Sequence, residues 1–251
     1  MVTGGAHGIG RAISLEFARG GSAVAVAGRD LAALDVVRWQ IEAHGVDALA
    51  EQCDVGDVAS MEAFGGNVLD RFGPPRAVVA CAGIAGPTKP MHEIEPAEWY
   101  ECINIDLTGV FLTFRQFIPA MIARGSGSLI AISSATGKRP LAGRTPYAAA
   151  KLGVIGLVRT LALELGPHGI RVNSVCPGGV EGPRIDNVFE HQAQLLGISA
   201  ADARLQMTEH AALKRLVTPE EVARTCAFLS SEAGSGITGE DLNVSAGLVM
   251  Y

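Results

Sequence analysis

The residues best suited to chemistry are Ser134, Tyr147 and Lys151. Tyr147 and Lys151 are four apart in Tyr147-Ala148-Ala149-Ala150-Lys151, so on a helix they share one face about one turn from each other. A phenol with an ordinary pKa of about 10 exchanges protons poorly near neutrality. An ammonium one turn away favours the phenolate and makes Tyr147 a workable general acid/base. Ser134 lies thirteen residues upstream, where the apolar run Ser128-Leu129-Ile130-Ala131-Ile132 ends in two serines. The Tyr–Lys spacing also fits an ordinary surface helix, so its meaning depends on whether the chain binds a redox cofactor.

The elements that must carry these groups follow from periodicity. Pro146 suits a first helical turn and the alanines after it have high helix propensity, which predicts a helix over Pro146–Leu165. Other helical patterns cover Gly10–Gly20, Asp30–His44, Val58–Phe72, Pro96–Arg124 and Pro219–Ser230. Strands are expected at Ala23–Ala27, Ala48–Cys53, Ala77–Cys81, Ser128–Ser133, Arg171–Cys176 and Asp241–Val244. Three of these are near-continuous apolar runs, as parallel strands covered on both faces require. The alternation implies right-handed βαβ units and an α/β, doubly wound parallel sheet with helices on both faces. A first strand should precede Thr3, where only Met1 and Val2 stand. The expectation is a very short strand or, preferred, a chain that begins a few residues earlier.

With 48% hydrophobic residues and 31 Gly in 251 residues, one domain with a large core is expected over 1–251. A net charge of −6 without a Lys/Arg cluster speaks against a nucleic-acid partner. Five cysteines, odd in number and without C-x-x-C, argue against a disulfide framework or zinc site and fit a reducing cytoplasm. The six histidines show no metal-ligand spacing, so no metal is expected. Neither a secretory signal nor an 18-residue apolar span is read, and no membrane partner is expected.

Thr3-Gly4-Gly5-Ala6-His7-Gly8-Ile9-Gly10 runs directly into a helical pattern. Glycines at 4, 8 and 10 let the backbone approach a pyrophosphate whose charge rests on a helix N-terminus. Together with Ala82-Gly83 after a strand, S-x12-Y-x-x-x-K and Pro177-Gly178 after a later strand, this ordered set resembles the short-chain dehydrogenase/reductase family over essentially the whole chain.

The resemblance implies a single Rossmann-type domain, nucleotide-binding mainly in 1–125, with catalysis and a substrate lid mainly in 126–251. It implies an NAD(P)-dependent dehydrogenase/reductase acting on a secondary alcohol or its ketone. Tyr147 would exchange a proton with the substrate oxygen, Ser134 would hydrogen-bond that oxygen, and Lys151 would hold the nicotinamide ribose. Gly4, His7, Gly8, Ile9, Gly10, Arg29, Asp54, Val55, Ala82, Gly83, Pro177, Gly178 and Val180 join Tyr147 and Lys151 as expected cofactor contacts. Cys81 stands where the family carries an Asn, so a polar brace at the strand end is missing. Aligned on Leu107-Thr108-Gly109-Val110-Phe111, the family's active-site Asn falls on Asp106, with Asn104 two residues upstream. Two α-helical residues rotate about 200°, so Asn104 does not substitute and Asp106 is expected at the relay position. An Asp accepts from water but does not donate as an amide does.

Gly28 occupies the position at which NAD-preferring relatives carry Asp, and Arg29 follows with a planar fork suited to phosphate. NADP is therefore expected over NAD, with Asp30 as a helix N-cap. Arg184–Lys214 reads as a helical lid that closes on substrate. Arg139 and Arg144 permit a polar or anionic substrate, although solvated arginines or contacts to neighbouring chains fit slightly better. Small residues Ala148, Ala149, Ala150, Gly153 and Gly156, with the resemblance, point to a homo-oligomer, a dimer or tetramer. The partner otherwise expected is a small-molecule carbonyl or alcohol. A catalytically silent NADP-binding redox sensor is the alternative from another class; a lyase or epimerase using transient oxidation is a third.

Overall fold

The computed structural model describes residues 1–251. Seven strands form one parallel sheet: β1 (Val2–Thr3), β2 (Val24–Gly28), β3 (Ala48–Gln52), β4 (Ala77–Ala80), β5 (Gly127–Ile132), β6 (Ile170–Pro177) and β7 (Asp241–Val244), in the order β3-β2-β1-β4-β5-β6-β7. The six strands expected from the sequence are present with ends shifted by no more than a residue. Val2–Thr3 forms the first strand at the centre of the sheet, with Val2 paired to Val26 on one side and to Val79 on the other.

The helices α1 (Gly8–Arg19), α2 (Leu31–Glu42), α3 (Val58–Phe72), α4 (Pro96–Ile103), α5 (Gly109–Arg124), α6 (Ala135–Lys138), α7 (Thr145–Leu165), α8 (Pro183–Leu196), α9 (Ala200–His210) and α10 (Pro219–Ser230) cover both faces. Local chemistry sets several ends. Asp30 accepts from Ala33 N–H at 3.0 Å to cap α2, as expected, and Asp57 accepts from Ser60 N–H at 2.7 Å to cap α3.

Alternation along the strands feeds two cores. Val78 and Ala80, Leu129 and Ala131 face a layer containing Phe64, Phe114, Phe117 and Met121. Val79, Ile130 and Ile132 face the opposite layer with Ile13, Leu34, Ile41 and Leu229. The lid region is two helices, α8 and α9, with a separate small cluster of Phe189, Ala203 and Leu216.

Two readings need correction. The stretch Pro96–Arg124 is long and apolar enough, at mean hydropathy 1.2, to match a membrane span, which the sequence reading did not recognise. Its apolar residues Phe114, Phe117 and Met121 lie in the core under the sheet instead. That stretch is also not one α-helix: Asn104–Thr108 forms a π turn between α4 and α5. The 3.6-residue geometry assumed for Asn104 and Asp106 therefore does not hold there.

Phe117 is fully buried between α5 and the sheet. Phe117→Ala is expected to lower unfolding free energy by about 3–5 kcal/mol, measured by urea denaturation.

Candidate active site

The sheet order reverses between β1 and β4, and their carboxyl ends open a crevice there, the usual ligand position in such sheets. A cavity of about 910 Å³ occupies it. Its floor is the glycine loop. Gly4 has φ 67°, and a side chain on it would meet Ala82 Cα at 2.8 Å; one on Gly10 would meet the Gly4 oxygen at 2.1 Å. These glycines let β1, β4 and the start of α1 close on one another. No side chain caps α1, so the N–H groups of its first turn are free for an anion at the cavity. The backbone cradle fits a dinucleotide pyrophosphate.

Every residue expected to touch a cofactor lines this cavity, as do Ser134, Tyr147 and Lys151. At one end, His7 Nε2 is 3.8 Å from Asp30 Oδ2, and Arg29 is exposed beside Gly28. Asp54 turns onto its own loop, accepting from Gly56 N–H at 2.9 Å, while Val55 packs behind it. At the other end, Pro177 closes β6, Gly178 follows it, and Val180 bridges to Val217. Gly182 has φ 132°, a conformation a β-branched residue avoids.

Strand β5 ends at Ile132, and the next two residues diverge in role. Ser133 Oγ donates to the Lys151 oxygen at 2.7 Å and ties α7 to the strand end. Ser134 Oγ accepts from Thr136 N–H at 3.0 Å, capping the short α6. Its own hydroxyl proton is thereby left to donate elsewhere. Gly137 of α6 fits closely on α7: a side chain there would meet the Lys151 carbonyl carbon at 2.9 Å.

Lys151 is only 4% exposed, and its ammonium donates to the Ile132 oxygen at 3.1 Å. It lies 5.6 Å from the centre of the Tyr147 ring. Asp106 is wholly buried behind this wall, 3.5 Å from Lys151 Nζ, and accepts from Ile84 N–H at 3.0 Å. The π turn aims Asp106 inward, while Asn104 faces away and donates to the Gly56 oxygen at 3.2 Å. Cys102 Sγ lies 3.5 Å from the second Asp106 oxygen, and burial, with that carboxylate beside it, pushes its thiol up to about 12. It stays protonated and donates to the carboxylate.

The brace expected to be missing at Cys81 is supplied from another strand. Thr3 Oγ1 accepts from Cys81 N–H at 3.1 Å and Ala82 N–H at 3.3 Å. Burial raises the Cys81 thiol to about 11, which leaves it a poor nucleophile. Sequence reasoning missed Ser133, Gly137 and Thr3 because each acts through the backbone of another element.

Arg144 departs furthest from expectation. It is 4% exposed, neither solvated nor at a neighbour's surface, and its guanidinium stacks 4.7 Å from the Tyr147 ring centre. Arg184, named in the sequence only as the start of the lid, lies 6.0 Å from the same ring.

Comparison with known proteins accords with this geometry. A family model described as Enoyl-(Acyl carrier protein) reductase matches residues 4–249. The cis-4-hydroxycyclohexanecarboxylate dehydrogenase of Sinomonas cyclohexanicum is 38% identical over 247 residues, covering 98% of this chain and 94% of its own. An actinorhodin polyketide ketoreductase variant solved with NADPH superposes with TM-score 0.94 at 35% identity, covering 100% of this chain and 96% of that one. NAD+-bound xylitol dehydrogenase superposes with TM-score 0.95 at 26% identity, covering 98% and 96%.

Asp106→Ala leaves the buried Lys151 without its carboxylate and Ile84 N–H without an acceptor. A loss of about 3–5 kcal/mol of stability is expected, measured by chemical denaturation, with Asp106→Asn losing less than half as much. An Asp106→Asn variant as stable as the wild type would remove the ion pair from this account.

Proposed function

The chain belongs to the short-chain dehydrogenase/reductase family, and from that premise we propose that Ser134, Tyr147, Lys151 and Asp106 carry its reaction. It is an NAD(P)-dependent oxidoreductase that interconverts alcohols and ketones. The observation that carries the residue assignment is the convergence of Ser134, Tyr147 and Lys151 on one cavity floored by the glycine loop.

A nicotinamide cofactor, held by the glycine loop with Ala82, Gly83, Pro177, Gly178 and Val180, supplies or takes the hydride. Tyr147 holds the proton exchanged with the substrate oxygen. Ser134, its oxygen already engaged with Thr136 N–H, donates its own proton to that same oxygen. Lys151 keeps a positive charge beside the phenol and would hold the ribose of a bound cofactor. Asp106 anchors Lys151 from behind and stands at the relay position. In this reading residues 1–125 mainly seat the nucleotide, and 126–251 provide the proton chemistry and the lid.

NADP is the preferred cofactor. Asp30 is committed to capping α2, no carboxylate stands at Gly28, and the exposed Arg29 fork beside the cavity suits a 2′-phosphate. The protein works in the cytoplasm, in keeping with five free cysteines. It assembles as a dimer or tetramer: Phe111 on α5 with Leu152 and Leu163 on α7 present an exposed apolar surface. Of the small residues on α7, Gly156 is open to such a partner, whereas Gly153 faces Leu107 of its own chain.

Tyr147→Phe is expected to retain NADPH binding, followed by fluorescence, while kcat falls by about 10²–10⁴-fold in NADPH-coupled ketone reduction. An unaltered kcat would remove Tyr147 from the reaction. A wild-type chain that binds NADPH and reduces no ketone would favour the redox-sensing alternative. Arg29→Asp is expected to shift the NADP/NAD ratio of kcat/KM toward NAD by at least tenfold, and an unchanged ratio would overturn the cofactor preference.

A further inference from the structure

Three cations surround the Tyr147 ring: Arg144 at 4.7 Å, Lys151 at 5.6 Å and Arg184 at 6.0 Å from its centre. Only Lys151 has a carboxylate partner, Asp106. Arg144 donates to the Ala85 oxygen at 2.8 Å and, at 3.4 Å, to Thr88 Oγ1; Arg184 donates to the Gly83 and Ile84 oxygens at 3.1 and 2.7 Å. All four acceptors are neutral. Each guanidinium thus spends two of its five N–H donors on neutral oxygens and has no ion-paired carboxylate of its own. Arg144 Nε is buried and finds no acceptor at all.

This arrangement is unfavourable for an empty cavity. Burial disfavours the Arg144 charge and holds its guanidinium below its ordinary pKa; the Arg184 cation adds to that effect. In a chain of net charge −6, acidic groups are plentiful, yet none forms an ion pair with either arginine; the Asp106 carboxylate, already paired with Lys151, reaches Arg144 only through its field. Glu181, three residues before Arg184, forms no ion pair with it and acts on Arg215 through its field. An uncompensated buried charge is unfavourable unless a ligand completes the pair.

We propose that the substrate carries an oxyanion, a carboxylate or a phosphate, a few bonds from its reacting carbon, and that Arg144 and Arg184 receive it beside Tyr147. This deepens the oxidoreductase reading and rests on it. The two arginines come from different bodies: Arg144 immediately precedes α7, which bears Tyr147, and Arg184 lies in the first turn of α8 in the lid. A shared anion therefore ties the lid to the catalytic helix, so that a charged substrate closes the site and a neutral analogue closes it less well. The class comprises short keto or hydroxy acids and keto or hydroxy phosphates, not plain alcohols.

Matched pairs test this: 4-oxocyclohexanecarboxylate against its primary amide, and dihydroxyacetone phosphate against dihydroxyacetone, each with NADPH. The anion is expected to exceed its neutral partner in kcat/KM by at least tenfold in one pair, and the preferred pair tells carboxylate from phosphate. Arg184→Gln, an exposed position, is expected to cut that preference at least tenfold, mainly through KM. Arg144→Lys, which keeps charge and loses the fork, is expected to lower it less. Added NaCl should erode the wild-type preference. Equal kcat/KM within both pairs, or a preference untouched by Arg184→Gln, would overturn the clamp while ketone turnover left the oxidoreductase reading standing. A chain that bound NADPH but reduced none of the four compounds would overturn both.

Discussion

A cation that is 96% hidden from water beside a phenol needs acceptors, and the site is arranged around supplying them to Lys151. One is the Ile132 oxygen at the end of β5; another is Asp106, which comes from a different helix. Asp106 is in turn oriented by Ile84 N–H, just beyond β4, and by the Cys102 thiol one turn before it. The ammonium is thereby fixed by three segments remote from each other in sequence. The π turn has a purpose here: widening the helix at Asn104–Thr108 directs a carboxylate toward Lys151 at a place where an α-helical register would not guarantee it. With an amide at this position, the ammonium would meet a neutral oxygen. With the carboxylate it has a charged partner.

What delivers these segments to one place is the reversal of strand order between β1 and β4. The connections after these two strands leave toward opposite faces of the sheet, and the crevice between them is walled by backbone. Close approach there tolerates no side chain on Gly4 or Gly10. The same crossing lets Thr3, on a strand of only two residues, brace the chain just beyond β4. The buried Lys151–Asp106 pair and the glycine loop are therefore one mechanical unit, sharing β4 and the loop after it.

Most of this was legible in the sequence, for identifiable reasons. Period-2 and period-3.6 apolar patterns are local, so strands and helices could be placed to within a residue or two. Four-residue spacing is also local, and Tyr147 and Lys151 do share a face of α7. Less legible was whatever depends on the path between elements. Asn104 and Asp106 were read on an ideal α-helix; the conclusion about their directions held, although a π turn produces it. The substitution of Thr3 for a missing Asn joins residues 78 apart, which no window of sequence reveals. Gly153 looked like an intersubunit residue but meets Leu107, because smallness permits close packing without saying against what.

Arg144 shows the same limit in its sharpest form. From sequence, an arginine three residues before the tyrosine is most simply a surface charge, since arginine is seldom fully buried. Yet Pro146 begins the helix, Gly143 at φ 76° turns the chain just before it, and Arg144 is left pointing inward across the Tyr147 ring. The loop carbonyl of Ala85 accepts one N–H, and stacking on the ring covers the planar face. These contacts hold the side chain in place but do not neutralise it. A positive charge retained against the Tyr147 ring, when a neutral side chain could fill the same volume, is best understood as half of an interaction whose other half arrives from solution.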